Sequence, residues 1–182
     1  LEPAKVRVTF PEDSLRTGLP VEEVQRLAQK AAIRPDWIAD LIEISGRPQG
    51  GTASRKASWI LRHVARLDTT CIAHQSQALL RAIDQSGDPR VHRELLKALL
   101  DLPKEELEGM GEDLYELGLG LCADPSLPVA MVHVGVQLLH TSGQPLGEEV
   151  VEIWRERGAQ AETPALARFL AMQLASRNRR ST

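Results

Sequence analysis

The sequence predicts an all-α protein built as a solenoid of about four helix pairs, and three observations carry that prediction. Aromatic residues are only 3% of the 182 residues, whereas Leu, Ala, Glu and Arg abound. That mix favours helix, because β-branched and aromatic enrichment is the mark of strands. Apolar residues recur at three- and four-residue spacing through most of the chain, the period of a helix with one buried stripe. Finally, placing Lys56, Arg93, Ala130 and Arg168 in register aligns their surroundings at spacings of 37, 37 and 38 residues. Each aligned unit reads as a helix, a turn often containing Asp or Pro, and a second helix. Stacked units of that kind bury their apolar faces between neighbours.

The elements follow in order. Residues 1–19 read as an extended arm, since "VRVTF" (6–10) alternates like a short strand and "PEDSLRTGLP" breaks it at once. A single helical domain is expected over 20–178, with 179–182 as a basic tail. After Pro20, Val21, Val24, Leu27 and Ala31 share one face, and Pro35 opens a second helix, "PDWIADLIEI", ended by the Gly- and Pro-dense "SGRPQGGT". "ASRKASWILRHVARLD" leads to "TTCIAHQSQALLRAIDQ", with Thr69 or Thr70 as its cap. In "SGDPRVHRELLKALLDLP" (86–103), Asp88 can accept a backbone N–H as an N-cap, and Pro89 at the first helical position forfeits no hydrogen bond. Val91, Leu95, Ala98, Leu99 and Leu102 then form the apolar stripe. "PKEELEGMGEDLYELGLGLCAD" puts Glu105, Glu106 and Glu108 near a helix N-terminus, where the dipole favours them. Its Gly109, Gly111, Gly118 and Gly120 predict a bent or split helix, or close helix packing. "SLPVAMVHVGVQLLHTSG", "PLGEEVVEIWRERG" and "TPALARFLAMQLASRNRR" bring the count to about nine helices.

Composition narrows the function classes. At 42% hydrophobic residues the chain can bury a continuous core. No stretch reaches the roughly eighteen apolar residues that span a bilayer, and no signal-peptide core opens the chain, so a soluble cytoplasmic protein with no membrane partner is expected. Leu1 in place of an initiator Met reads as a cleavage or cloning boundary. Cys71 and Cys122 lack redox or metal spacing, which fits a reducing compartment. The net charge of −3 is unevenly spread: residues 51–103 carry eight Lys/Arg against five Asp/Glu, and residues 104–164 carry three against twelve. Two surfaces of opposite sign are expected rather than a uniformly nucleic-acid-binding chain.

These units resemble the HEAT-repeat (armadillo-like) superfamily. "ALLRAIDQSGDPRVHRELLKALLDL" is similar to a HEAT unit through Asp88, Val91 and Arg93, and "DLYELGLGLCADPSLPVAMVHVGVQLL" through Asp124, Pro125 and Val129, with Ala130 and His133 where a basic residue is usual. The resemblance implies a right-handed α-α superhelix whose second helices line a concave binding face. It implies a binding protein rather than a particular ligand.

On that face the candidate partner-binding residues are Arg55, Arg62, Arg66, Arg90, Arg93 and Lys97. Arg62 and Arg66 are four apart, as are Arg93 and Lys97, so each pair shares a helix face. A protein partner, acidic in character, is the expectation, with nucleic acid the alternative. No catalytic residue, metal site or cofactor is expected. "CIAH" sets Cys71 and His74 at a chelating spacing, yet His63, His92, His133 and His140 lie on separate helices and complete no tetrahedral set. No nucleophile elbow or phosphate loop is present. The enzymatic alternative follows from the resemblance, because some HEAT-like proteins excise alkylated bases from DNA with tryptophans and an Asp. Trp37, Trp59 and Trp154 with Asp36, Asp40 or Asp68 would then be the residues concerned.

Overall fold

The computed structural model describes residues 9–16 and 18–180, with side chains as far as Arg177. Among the described residues it contains eleven α-helices, one turn of 3-10 helix at Glu12–Leu15 and no strand, so the chain is all-α. Internal contacts divide it into two compact units, residues 1–106 and 107–182. Most of the strand-like stretch 6–10 lies outside the described residues, and Thr9 and Phe10 are irregular. Residues 181–182 of the expected tail also lie outside them.

The first unit holds α1 (Val21–Ala32), α2 (Pro35–Ser45), α3 (Thr52–Leu67), α4 (Thr70–Ala73), α5 (Ser76–Gln85) and α6 (Pro89–Leu100), and α7 (Lys104–Gly109) spans the boundary at 106. Helix α3 is central and packs on α1, α2 and α6, while α5 packs on α2 and α6. Its buried Ala57, Ile60, Leu61, Val64 and Ala65 recur at helical spacing. Residues 9–16 of the expected arm lie against this unit. Phe10 meets Trp37 edge to face at 5.1 Å, its N–H donates to Asp40 at 2.7 Å, and Leu15 is fully buried. Arg47 donates to both oxygens of Glu12, and Lys56 Nζ donates to the Leu15 carbonyl at 2.8 Å.

Helix α6 matches its sequence. Asp88 accepts from the Arg90 N–H at 3.0 Å, Pro89 opens the helix, and Val91, Leu95, Ala98, Leu99 and Leu102 are all buried, joined by Leu96. The segment 69–85, expected as one helix, is two. The break falls at His74 and Gln75, where the Gln75 amide donates to the Pro35 carbonyl at 3.3 Å. Thr69 occupies the N-cap position of α4 without a side-chain capping bond, and Asp68 accepts from the Thr70 N–H instead.

The second unit holds α8 (Gly111–Ala123), α9 (Val129–Thr141), α10 (Glu148–Ala159) and α11 (Pro164–Arg180). Helix α8 lies along α9, and α10 packs on α8 and α11 around Cys122, Val132, Val136, Leu139, Val150, Trp154, Leu166 and Leu170. The glycine-rich segment is split at Met110 and also packs closely. A Cβ on Gly118 would lie 2.8 Å from the Gly135 carbonyl oxygen, and one on Gly135 would lie 2.9 Å from the Gly118 oxygen. The α8 and α9 backbones therefore meet with no room for a methyl group. Gly120, by contrast, faces open space. Asp124 forms the same turn as Asp68 and Asp88, accepting from the Ser126 N–H at 2.8 Å, and the buried Arg157 donates to the Pro125 and Leu127 carbonyls at 3.0 Å each.

Two pairs of substitutions check this packing by urea unfolding. Leu99→Ala removes a fully buried side chain and is expected to cost roughly 2–5 kcal/mol. Arg93→Ala, on the exposed side of the same helix, should stay within about 0.5 kcal/mol. A tolerant Leu99 would show that the register of α6 is wrong. In the second unit Gly135→Ala should destabilise by about 1–3 kcal/mol through overpacking, despite the better helix propensity of Ala. Gly120→Ala should instead stabilise, by up to about 1 kcal/mol. Equal effects at the two glycines would contradict the close α8–α9 approach.

Candidate functional site

Because α3 is covered by three helices, its large charged residues lie toward its free side, while the small Ser54 and Ser58 are buried. Arg55, Trp59, Arg62 and Arg66 follow each other at four, three and four residues along that side. On α6, Arg90, Arg93, Glu94 and Lys97 occupy the strip opposite Val91, Leu95 and Leu99 in the same way. Packing of α3 on α6 brings the two strips together.

All six residues singled out from sequence stand on this pair of helices, but they do different things. Arg62 is a strut: its side chain is 17% exposed, and it donates to the 16%-exposed Glu94 at 3.0 Å. Arg55 Nε donates to Asp88 at 2.6 Å, so one carboxylate caps α6 and holds the start of α3. Arg93 Nε donates to Glu94 at 3.1 Å while its side chain remains 45% exposed. Arg66 and Arg90 are exposed and form no ion pair among the described residues. Lys97 is half-buried. Burial and the Arg62 charge lower its amine below the ordinary lysine pKa, helped by Arg93 and Arg66 and opposed by Glu94. Arg62, Arg66, Arg93 and Lys97 thus share one electrostatic neighbourhood.

Two members of the face are absent from the sequence-based set. Lys56 and Trp59 join Arg55, Arg90, Arg93 and Glu94 around a shallow groove of about 270 Å³. In the sequence Trp59 precedes Ile60 and Leu61 in a core-like run, so packing is its default expectation beside the enzymatic alternative. The structure leaves it half-buried, with its ring 5.9 Å from that of His63. The spacing from Arg55 and Arg62 was the available signal. Trp37 and Trp154, at 7% and 0% exposure, are core residues.

Both cysteines are held as thiols. Burial pushes the Cys122 thiol up to about 11, and burial also raises Cys71, whose Sγ donates to the Ala32 carbonyl. His133 stacks on Phe169 at 3.7 Å, and His140 hydrogen-bonds Gln173 at 3.0 Å. Among the described residues no three His, Cys, Asp or Glu side chains come together as a metal site. No helix of the described residues is long and apolar enough to cross a membrane. No family model matches the chain, and no curated protein or solved structure matches it significantly.

Glu94 offers a pH-dependent check. Burial works against its ionisation, but the Arg62 hydrogen bond and the charges of Arg62, Lys97 and Arg93 outweigh burial and hold its pKa below the ordinary 4.5. A carboxyl with a depressed folded-state pKa stabilises the fold above its unfolded pKa, and that contribution is lost as pH falls below 4.5 through the folded value. Glu94→Gln should cost about 1–3 kcal/mol at neutral pH by leaving Arg62 with a poorer acceptor. It should also flatten the acid limb of the stability profile. Wild-type and variant curves that stay parallel on acidification would assign that limb to other carboxylates.

Proposed function

We propose that the chain is a HEAT-like repeat protein without catalytic activity of its own, and that it binds an acidic protein partner through the α3–α6 face. The observation that carries this reading is the convergence of Arg55, Arg62, Arg66, Arg90, Arg93 and Lys97 on two adjacent helices. Like charges held together destabilise a lone chain, and an opposing anionic surface relieves that repulsion and speeds association. The HEAT-like assignment is supported by two helix pairs in each unit, α2/α3 and α5/α6 in the first and α8/α9 and α10/α11 in the second. The turn Asp residues Asp88 and Asp124 supply the matching local geometry.

Nucleic-acid binding is the second reading, favoured by Trp59, since cations beside an accessible aromatic ring are what single strands use. Its enzymatic form, alkylbase excision, finds less support. Trp37 and Trp154 are buried, and the Asp40 carboxylate is engaged by the Phe10 N–H.

Charge reversal at the exposed positions separates these readings. Arg66→Glu and Arg90→Glu combined leave Arg62, Arg93 and Glu94 unchanged and should leave thermal stability close to wild type. The variant should lose an acidic protein that wild type retains from native extract, while duplex DNA binding by wild type stays in the non-specific range, about 10⁻⁴–10⁻⁶ M at physiological salt. Tight duplex binding with release of an alkylated base, stopped by Asp→Asn at Asp36, Asp40 or Asp68, would overturn the non-catalytic assignment.

A further inference from the structure

We infer that the groove beside Trp59 is the anchor of this face and takes a short acidic peptide segment carrying one large apolar side chain. The inference rests on the proposed binding of an acidic protein and specifies its chemistry. Trp59 is the tryptophan of the three that the fold does not bury, and it stands among Arg55, Lys56, Arg90 and Arg93. An indole at the surface offers a large apolar contact at little entropic cost, and Trp and Arg are the residue types that dominate binding hot spots. The aliphatic stems of the surrounding Arg and Lys residues can extend that apolar floor. At about 270 Å³ the groove is below the usual range for a small-molecule site and suits one inserted side chain.

The cations around it are already oriented. Arg55 is held by Asp88, Arg93 by Glu94, and Lys56 by the Leu15 carbonyl, so a ligand would meet donors whose freedom is already reduced. The same contacts favour peptide over nucleic acid. Asp88 and Glu94 sit between the cations and interrupt any continuous positive track, which a phosphate backbone with its unbroken run of charge needs. An acidic peptide, whose carboxylates can be spaced by neutral residues, does not need a continuous track.

The test is fluorescence anisotropy on the full chain with three labelled probes: a short peptide of Glu and Ser around one central Phe, the same peptide with Ser in place of Phe, and oligothymidine of equal length. The Phe peptide should bind at least about tenfold more tightly than the Ser peptide. Trp59→Ala should remove that difference, and Arg90→Glu should weaken both peptides. Binding should also shift the intrinsic tryptophan emission, because Trp59 is the indole whose contact with water changes while Trp37 and Trp154 stay buried. If Trp59→Ala leaves the Phe preference intact while Arg90→Glu still weakens both peptides, the groove is not the anchor, although the acidic-partner reading stands. If neither peptide binds, or if oligothymidine binds more tightly than both, this inference and the acidic-partner reading fall together. If Trp59→Ala does not fold, the wild-type emission decides the matter: the Phe peptide should shift it and the Ser peptide should not, and equal shifts would remove the anchor.

Discussion

The burial of α3 on three sides is the constraint from which the rest of the first unit follows. A helix covered by α1, α2 and α6 keeps one free side for its large charged side chains, and Arg55, Trp59, Arg62 and Arg66 run along it. Their convergence needs no special device, because packing the apolar stripe fixes where everything else must point. The same holds for α6, whose buried Val91, Leu95 and Leu99 fix the direction of Arg90, Glu94 and Lys97. Concentrating cations in this way carries an electrostatic penalty, and two carboxylates moderate it. Glu94 lies between Arg62 and Arg93, and Asp88 holds Arg55, so the face is cationic yet internally braced.

The second unit solves its packing by a different route. Gly118 and Gly135 let the α8 and α9 backbones approach until each occupies the space a neighbouring Cβ would need. That approach gives up side-chain burial at two positions and gains backbone contact along the pair. Its core is filled by larger groups, Trp154 above all, which is fully buried. Arg157 shows how a charged residue is kept inside such a unit: its guanidinium donates to two turn carbonyls that no helix satisfies. On α8 and α10 Glu112, Glu116, Glu152 and Glu156 are exposed, alongside Arg155, so the acidic residues of this part of the sequence reach the surface of the second unit.

The all-α class and the interior of α6 were legible because they depend on local rules: helical period, an Asp cap and Pro at the first turn. The glycine segment was legible as to cause, since four glycines in one helix must either break it or admit a neighbour, and here both occur. The division of 69–85 was not, because Ile72, Leu79 and Ile83 keep one continuous stripe across the break at Gln75. At the break the Gln75 side chain reaches the Pro35 carbonyl, a tertiary contact that no local pattern encodes. The packing of residues 9–16 was illegible for the same reason, since Phe10 finds Trp37 and Leu15 finds the interior only once α2 and α3 exist.

The candidate face separates these two kinds of information. Charge and spacing are local, so the six basic residues could be named from sequence. Which of them a partner can reach depends on what lies across from each one, and that is tertiary. Arg62 and Arg66 are equivalent on a helical wheel, yet Glu94 of α6 faces the first and converts it into a brace, leaving the second exposed. Trp59 shows the reverse: two aliphatic neighbours suggest burial, but the turn of the helix sets it on the line of arginines. A residue on that line is buried only if α6 supplies an apolar cover, and what α6 supplies there is Arg90, Arg93 and Glu94. The indole is therefore left as the one large apolar surface within a ring of charge. A partner able to cover it while answering the cations would gain both the hydrophobic and the electrostatic contribution from a single short segment.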